Sequence, residues 1–385
     1  MRISIAAGTR PEIIKLSPVV RALRDDGHDV RVVATGQHAD PKMAAQIFDG
    51  LGYQPDVTWA LPDTASARVG AIFANAVEEL GCTPPETVLV LGDTDTAPLV
   101  ALAARRHRIG VIHVEAGLRS FNGHSAEEVN RRVMAALATL NLAPTELAAS
   151  FLAAEGVPAR QIHVVGNPII DVLMASGVPR CPVPDRSGVL FTAHRATNVD
   201  RPDRLREMVR LLSELGRRYG PVTFPVHPRT ERRLAEAGLT EKVASFTDVQ
   251  TCPPLAFNDL LKRLASSQVV VTDSGGLQEE AAYFGLPAII MRETTPRWEG
   301  VLAGTAALCG LDSARVLASV ESFLRPGRLA EVNAVRCPYG AGDTGPRIAA
   351  LLRQVGTQDA LIPVERDLDR PGADLVATLL NGAAR

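Results

Sequence analysis

The chain has 385 residues, of which 46% are hydrophobic and 22% charged, a composition typical of globular proteins, and its length predicts two domains. Lysine and arginine number 41 and aspartate and glutamate 43, so the formal charge is only -2, which argues against nucleic acid or an anionic membrane as the main partner. No apolar run approaches the roughly 18 residues that a membrane helix needs, and charges within residues 1–12 argue against a signal peptide.

The first half of the chain alternates apolar, β-rich runs with segments of helical spacing. Strands are predicted at 3–7, 30–35, 87–91 and 109–114, and helices at 13–23 and 97–106. Such alternation predicts a parallel sheet with helices on both faces.

The same pattern restarts after the Val-Val-Gly-Asn-Pro segment that ends at Pro168. Strands are predicted at 189–192, 222–226, 269–272 and 288–291, and helices at 204–217 and 277–284. We therefore expect two doubly wound, Rossmann-like α/β domains that face each other across a cleft, with a hinge near residues 166–172. The expected domains are residues 1–168 and 169–352, and residues 353–385 form a tail whose role the sequence does not indicate.

The predicted strands of the first half end in polar residues, and ligands of open parallel sheets bind beyond the carboxyl ends of the strands. After the first strand, Gly8 and Pro11 suit a tight turn into a helix. Arg10 and Lys15 place cations near the start of that helix, where they either form an anion site or are simply solvated. The second strand leads into Gln37 in the same way.

Carboxylates follow the later strands of this half. Asp93 and Asp95 follow one strand and Glu115 the next, and the two aspartates could also be simple helix caps. Glu127 and Arg131 are four residues apart and share a face of the predicted helix. That spacing fits either a surface ion pair or a cleft carboxylate that a guanidinium orients.

The second half repeats this arrangement. His194 and His227 follow two of its predicted strands, and their equivalent positions favour a functional role for both. Ser274, Gly275 and Gly276 form a turn between a strand and a helix whose free N–H groups can bind a phosphate. Arg297 lies in a loop after the next strand, where it could bind the same anion.

No cofactor is predicted. Neither GxGxxG nor GxxxxGK[ST] is present, so neither NAD nor a P-loop nucleotide is indicated. The five cysteines are scattered, without a CxxC pair or a histidine spacing suited to zinc, and we expect reduced thiols, a cytoplasmic location and no metal.

Ten motifs spread over residues 3–352 resemble, in the same order, those of the UDP-N-acetylglucosamine 2-epimerases. They are GTRPEIIKLSPVV, TGQH, LGDT, HVEAGLRSF, EExNRR, AHRxxNVD, FPVHPRT, TDSGGLQEEA, RETTxRxE and PYGxG. The resemblance implies the two-domain glycosyltransferase-B architecture, a UDP-sugar bound mainly by the C-terminal domain, no cofactor and a homodimer. It further implies that the final helix, near 344–352, crosses back toward the first domain.

The resemblance also implies roles for individual residues. The implied catalytic set is Asp93, Glu115, Glu127 and His194. The implied substrate-binding set is Arg10, Lys15, Gln37, Arg131, His227, Ser274, Gly275, Gly276, Glu280 and Arg297. Within that set the Ser274 turn would bind the diphosphate, and Glu280 the ribose hydroxyls.

The chemistry of a 2-epimerase matches these residue types. The C2 proton of an N-acetylglucosamine unit is barely acidic until the C1–O bond to UDP breaks, so cations must stabilise the departing diphosphate. Carboxylates must remove the proton and return one on the other face, and the sequence does not say which one is the base. We therefore expect conversion of UDP-GlcNAc to UDP-ManNAc through a 2-acetamidoglucal, in polysaccharide or secondary-metabolite biosynthesis.

Departures from the usual family pattern leave alternatives open. Ala126 replaces a proline, Thr197 replaces a glutamate, and Trp298 lies in an altered loop. The same chemistry could act on a 2,3-diacetamido uronic acid or an antibiotic precursor, or water could capture the intermediate and release ManNAc. A glycosyltransferase of the same architecture is a further alternative, and a sensor without catalysis is disfavoured by the intact acids.

Overall fold

The computed structural model describes residues 1–37, 48–356, 361–362 and 373. The chain divides into two compact units, Met1–Val172 with Gly340–Arg385, and Leu173–Tyr339. Residues 340–352, which the sequence analysis had placed in the second domain, thus belong to the first unit. Among the described helices, none has the length and apolarity needed to cross a membrane.

The first unit is built on a seven-stranded sheet in the order β3-β2-β1-β4-β5-β6-β7, in which every paired strand is parallel. The strands are β1 Arg2–Ala7, β2 Asp29–Ala34, β3 Val57–Thr58, β4 Thr87–Leu91, β5 Gly110–Val114, β6 Leu140–Ala143 and β7 Ile162–Val164. The helices are α1 Arg10–Asp25, α2 Ala65–Cys82, α3 Thr96–Arg106, α4 Ala126–Leu137, α5 Glu146–Ala154 and α6 Pro168–Ala175, which crosses the boundary between the units.

Alternate residues of the central strands pack on opposite sides of this sheet. Ile3 and Ile5 of β1 pack in a cluster with α1, whereas Ala6 packs with α2 and α3. The first cluster also contains Ile348 of the last helix, α16, which is Thr344–Gly356. Because both faces are covered, the strands read as continuous apolar runs, as expected for a buried parallel sheet.

The second unit is built on a six-stranded parallel sheet in the order β10-β9-β8-β11-β12-β13. Its strands are β8 Val189–Thr192, β9 Val222–Pro225, β10 Val249–Cys252, β11 Val269–Thr272, β12 Ala288–Ile290 and β13 Ala306–Leu308. Its helices are α7 Ala196–Val199, α8 Pro202–Tyr219, α9 Pro228–Glu236, α10 Thr240–Ala244, α11 Phe257–Ala265, α12 Gly276–Phe284, α13 Trp298–Leu302, α14 Ser313–Phe323 and α15 Arg328–Ala334.

The strand order reverses once in each sheet. In the first unit the chain leaves β1 for β2 on one side and later returns to β4 on the other, and β8 and β11 are related in the same way. Neighbouring connections diverge at such a switch point and leave a crevice beyond the strand ends. The fold therefore singles out the residues that follow β1, β4, β8 and β11.

The predicted fold class, two α/β units with parallel sheets, is confirmed. Three strands have the predicted bounds, Thr87–Leu91, Val189–Thr192 and Val269–Thr272. The sequence analysis missed β3, β6, β7, β10 and β13. β3 has only two residues, β13 is mostly alanine, and polar residues interrupt the apolar runs of β6, β7 and β10.

Candidate active site

The turn between β1 and α1 is closely packed. A side chain at Gly8 would place its Cβ 2.1 Å from the Thr96 hydroxyl, so only glycine fits there. The buried Glu12 carboxylate accepts hydrogen bonds from the N–H groups of Gly8 at 2.6 Å and Thr9 at 3.0 Å, and from the Thr94 hydroxyl. Burial raises the pKa of Glu12 to about 7, against the opposing effect of these bonds.

Lys15 and Glu115 form a buried ion pair beside this turn. The Lys15 ammonium contacts Glu115 Oε1, and both side chains are less than a tenth exposed. Glu115 has a backbone φ of 62°, a left-handed conformation that is uncommon outside glycine. Such strain persists only where the surrounding structure imposes it, and it is concentrated at functional sites.

Arg131 of α4 contacts two carboxylates, one in the loop after β4 and one on its own helix. One of its terminal nitrogens contacts Asp93, and the other lies 2.8 Å from Glu128 Oε2. Glu128 also accepts hydrogen bonds from the N–H and hydroxyl of Ser120, each at 2.8 Å. Burial alone would raise the pKa of Glu128, but the bonds from Ser120 and Arg131 hold it below its usual value.

The remaining predicted residues of the first unit lie around these pairs. Gln37 accepts hydrogen bonds from the N–H of Thr96 at 3.1 Å and from its hydroxyl at 2.7 Å. Arg10 is exposed at the first position of α1. Glu127 lies in the first turn of α4 and accepts a hydrogen bond from the Ser125 hydroxyl.

His113 is buried in β5, below the loop that carries Asp93. Its Nε2–H donates a 2.8 Å hydrogen bond to the carbonyl of Gly92, and Nδ1 is buried without a hydrogen-bond partner. Burial lowers the pKa of His113 to about 4, so the ring is neutral at pH 7.

In the second unit, two imidazoles lie together at the ends of β8 and β9. The rings of His194 and His227 have centroids 5.2 Å apart and planes inclined by 31°. The Nδ1 of His227 accepts a hydrogen bond from the N–H of Arg229 at 3.1 Å, which caps α9. Burial is the main factor that lowers the pKa of each histidine.

The start of α12 carries the features of an anion site. Gly275 precedes the helix, and a Cβ there would lie 3.2 Å from Nη1 of Arg297. Arg297 is in turn oriented by Glu279, a fully buried carboxylate whose Oε1 lies 2.9 Å from Nε. A helix N-terminus beside a guanidinium attracts a phosphate through both the free N–H groups and the charge.

Ser274 and Glu280 are the remaining predicted residues of the second unit, and both lie at the start of α12. The N–H of Ser274 donates to the Thr272 hydroxyl at 2.9 Å, and its carbonyl accepts a hydrogen bond from Gln278 at 3.0 Å. A Cβ built on Gly276 would lie 3.8 Å from Oε1 of Glu280, so this carboxylate faces the first turn of α12.

Each unit thus collects predicted residues at its switch point, and the structure adds residues that sequence reasoning did not select. Asp273, Glu128 and Glu279 are adjacent in sequence to Ser274, Glu127 and Glu280, the residues that were selected. The spacing of Glu128 and Arg131, three apart on a helix, was a usable signal. Thr9 and Glu12 have the spacing of a capping box, which was a usable signal as well. His113 gave no such signal, because its contact with Gly92 is distant in sequence.

Two α/β units with clustered acids and cations at the switch points define a class of α/β proteins whose candidate site suits an anionic ligand. Residues 21–353 match the family model described as UDP-N-acetylglucosamine 2-epimerase. The chain belongs to the UDP-N-acetylglucosamine 2-epimerase family and is an isomerase.

Two curated relatives align over nearly their whole lengths. The UDP-N-acetylglucosamine 2-epimerase of Methanocaldococcus jannaschii is 35% identical, over 91% of this chain and 99% of that protein. The UDP-2,3-diacetamido-2,3-dideoxy-D-glucuronate 2-epimerase of Pseudomonas aeruginosa is 32% identical, over 92% of this chain and 100% of that protein.

A solved structure is similar as well. The crystal structure of the M. jannaschii UDP-GlcNAc 2-epimerase in complex with UDP-GlcNAc and UDP superposes with a TM-score of 0.82 at 34% identity, covering 92% of this chain and 100% of that chain.

Proposed function

We propose that this enzyme interconverts UDP-GlcNAc and UDP-ManNAc by removing the C2 proton and eliminating UDP to a 2-acetamidoglucal. UDP then adds back at C1 while a proton is delivered to the other face of C2. The observation that carries the proposal is the Arg297 guanidinium beside the N-terminus of α12, a site suited to a diphosphate leaving group. The M. jannaschii relative crystallised with UDP-GlcNAc and UDP supports the same substrate.

Departure of UDP develops negative charge on the diphosphate. The Ser274 hydroxyl and the N–H groups of Gly275 and Gly276, together with Arg297, are proposed to stabilise that charge from positions fixed before the reaction. His194 and His227 lie at the neighbouring strand ends and supply further hydrogen-bond donors. Glu280 is proposed to bind the ribose hydroxyls.

The acids of the first unit are proposed to move the C2 proton. Asp93 and Glu115 each contact a cation, Arg131 and Lys15 respectively, so both carboxylates are held in position. We assign Lys15 and Arg131 this orienting role in addition to binding substrate. Glu127 joins the catalytic set, and Arg10 and Gln37 join the substrate-binding set.

The test is incubation with UDP-GlcNAc in D2O, followed by NMR of the products. From the wild type we expect UDP-ManNAc with deuterium at C2. For Asp93→Asn and for Glu115→Gln we expect the turnover number to fall at least about a hundredfold, because general acid–base catalysis contributes on this scale. Glu146→Gln, an exposed glutamate in the first turn of α5, is the matched control and should keep full turnover.

Three results would each contradict part of the proposal. Product without deuterium at C2 would exclude proton exchange at that carbon, and near-native turnover in either acid variant would remove that residue from the catalytic set. Free ManNAc with UDP, in place of UDP-ManNAc, would show the hydrolysing form of the reaction.

A second candidate substrate is a UDP-2,3-diacetamido uronic acid. The P. aeruginosa relative is named for this chemistry and aligns over its whole length, and Ala126, Thr197 and Trp298 differ from the usual family pattern. A panel of both sugar nucleotides distinguishes the candidates, since the true substrate should have the larger kcat/KM.

We also propose a homodimer. Val129 and Val133 lie one turn apart on α4 and are 51% and 41% exposed, an apolar face that a second subunit could cover. Light scattering after size exclusion should give twice the mass of one chain, and a single-chain mass at micromolar concentration would contradict this.

A further inference from the structure

The carboxylate of Asp273 lies between His194, in the loop after β8, and the Ser274 turn before α12. Asp273 follows β11 directly, is fully buried, and precedes the Ser274 turn. Both of its oxygens lie 3.1 Å from the N–H of His194, and Oδ2 also accepts hydrogen bonds from the N–H of Arg195 at 2.9 Å and the side-chain amide of Asn198 at 3.1 Å. These donors come from the loop after β8 and from α7, and they fix the carboxylate in one orientation.

The same carboxylate faces the His194 ring. Oδ1 lies 3.2 Å from Nδ1 of His194. A carboxylate oxygen only accepts hydrogen bonds, so this approach favours the tautomer with its proton on Nδ1. The other nitrogen, Nε2, is then the one available to a ligand.

We propose that Asp273 is a positioning residue for the reaction: it sets the tautomer and orientation of His194 and provides the negative charge that stabilises the ring as a cation beside the diphosphate. The inference rests on the proposed function. In the protonated state, Nε2–H donates to a diphosphate oxygen while Nδ1–H faces Asp273. The positive ring then stabilises the negative charge of the leaving group, and the Asp273 carboxylate stabilises the positive ring.

The charged groups around His194 make this role specific to Asp273. Burial lowers the pKa of His194, and His227, Arg195 and Arg229 act in the same direction. Asp273 acts in the opposite direction and raises that pKa. Replacing its charge should therefore leave the imidazole neutral over a wider pH range, even when the diphosphate is bound.

The central variant is Asp273→Asn, which keeps the side-chain shape and removes the charge. Asn198→Ser is the matched control, because it removes a donor to the same carboxylate and leaves the charge beside the ring. A purely structural role for Asp273 predicts that both variants lose stability to a similar extent and keep the wild-type pH profile.

The first measurement is 15N NMR of the full chain labelled at histidine, with His194→Gln to assign the signals. In the wild type we expect the neutral His194 ring to carry its proton on Nδ1, and in Asp273→Asn we expect the population to move toward Nε2. A wild-type ring protonated on Nε2 would overturn the proposal.

The second measurement is the pH dependence of turnover. We expect kcat of Asp273→Asn to fall at least about tenfold while KM changes little, and the alkaline limb of the profile to move about one pH unit lower. Asn198→Ser should keep the wild-type limb. Turnover in Asp273→Asn within about threefold of the wild type, with an unshifted limb, would overturn the proposal.

The two proposals fail separately. If the wild type turns over no UDP-sugar, the proposed function fails, and the NMR tautomer in the wild type and in Asp273→Asn still decides the pairing with His194. If the wild type is active and the His194 tautomer is the same in the wild type and in Asp273→Asn, only the positioning role is contradicted.

Discussion

Glu128, Asp273 and Glu279 are buried carboxylates that each contact one charged or titratable side chain of the candidate site. Glu128 lies 2.8 Å from Arg131, Asp273 3.2 Å from His194, and Glu279 2.9 Å from Arg297. An unpaired buried charge is costly, so each of these partners is held in one orientation. The side chains of Arg131, His194 and Arg297 are therefore held in position by these carboxylates, which is the condition that the proposed electrostatic catalysis requires.

His113 gives a prediction for stability at acidic pH. Its pKa is about 4 in the folded protein and 6.5 in an unfolded chain, so the unfolded state binds more protons between these values. The neutral buried ring therefore makes its full contribution to the free energy of unfolding above pH 6.5. That contribution, up to about 3 kcal/mol, is lost as the pH falls from 6.5 through 4. His113→Gln should remove most of this dependence.

The measurement can be confined to the first unit. The chain has two tryptophans, of which Trp59 lies in the first unit and Trp298 in the second. Urea unfolding followed by Trp59 fluorescence in a Trp298→Phe background reports the first unit at pH 7 and pH 4.5. The control His163→Gln, at a partly exposed histidine, should keep the full pH dependence, and a His113 variant that behaves like it would contradict the prediction.

At the scale of elements, α12 has an arginine beside each end, and the two act differently on the helix. Arg297 lies beside its first turn, and the guanidinium of Arg186 donates to the carbonyls of Phe284 at 2.9 Å and Gly285 at 2.7 Å at its end. A cation at the C-terminus offsets the partial negative charge of the helix dipole there. Arg297, in contrast, lies at the positive end and is tolerated because Glu279 balances it, which leaves the pair suited to an incoming anion.

Glu279→Gln tests this arrangement. Without the buried charge, Arg297 loses its orientation, and we expect the dissociation constant for UDP to rise about tenfold by calorimetry. The free energy of unfolding should fall by about 3 kcal/mol, because a guanidinium is left without its buried partner. Glu241→Gln on α10 is an exposed control, and equal UDP affinities in the two variants would show that Glu279 does not orient the cation.

At the scale of the whole molecule, the chain closes its first unit with its last described helix. α16 packs against α1, and the N–H of Gly345 donates to Asp171 at 2.9 Å. A Cβ at Gly345 would lie 2.6 Å from the Pro18 carbonyl, so the two helices approach closely only because glycine is there. The segments before Val172 and after Gly340 therefore fold as one unit.

Gly345→Val should separate these helices and lower the free energy of unfolding of the first unit by about 1–3 kcal/mol. Gly70→Ala is the matched control, because no atom lies within 4 Å of the added Cβ, and it should be neutral or stabilising by up to about 1 kcal/mol. The same Trp59 signal measures both. Equal stability of the two variants would mean that α16 is not closely packed on α1.

Much of the fold could be read from sequence because buried parallel strands are continuous apolar runs, as β4, β8 and β11 show. The strands β3, β10 and β13 could not be predicted, because β3 has only two residues, β13 is mostly alanine, and Gln250 and Thr251 interrupt the apolar run of β10. The tail segment 375–380, apolar in sequence, lies outside the described residues.

The sequence by itself determined the fold class, the family and the strand ends where polar residues gather, because these depend on local pattern and on order along the chain. Only the tertiary structure decided the partners of those residues, such as Lys15 with Glu115, Arg131 with Asp93 and Glu128, and His194 with Asp273. Most of these pairs join residues 38 to 100 positions apart, and such contacts exist only after the sheet has brought its strand ends together.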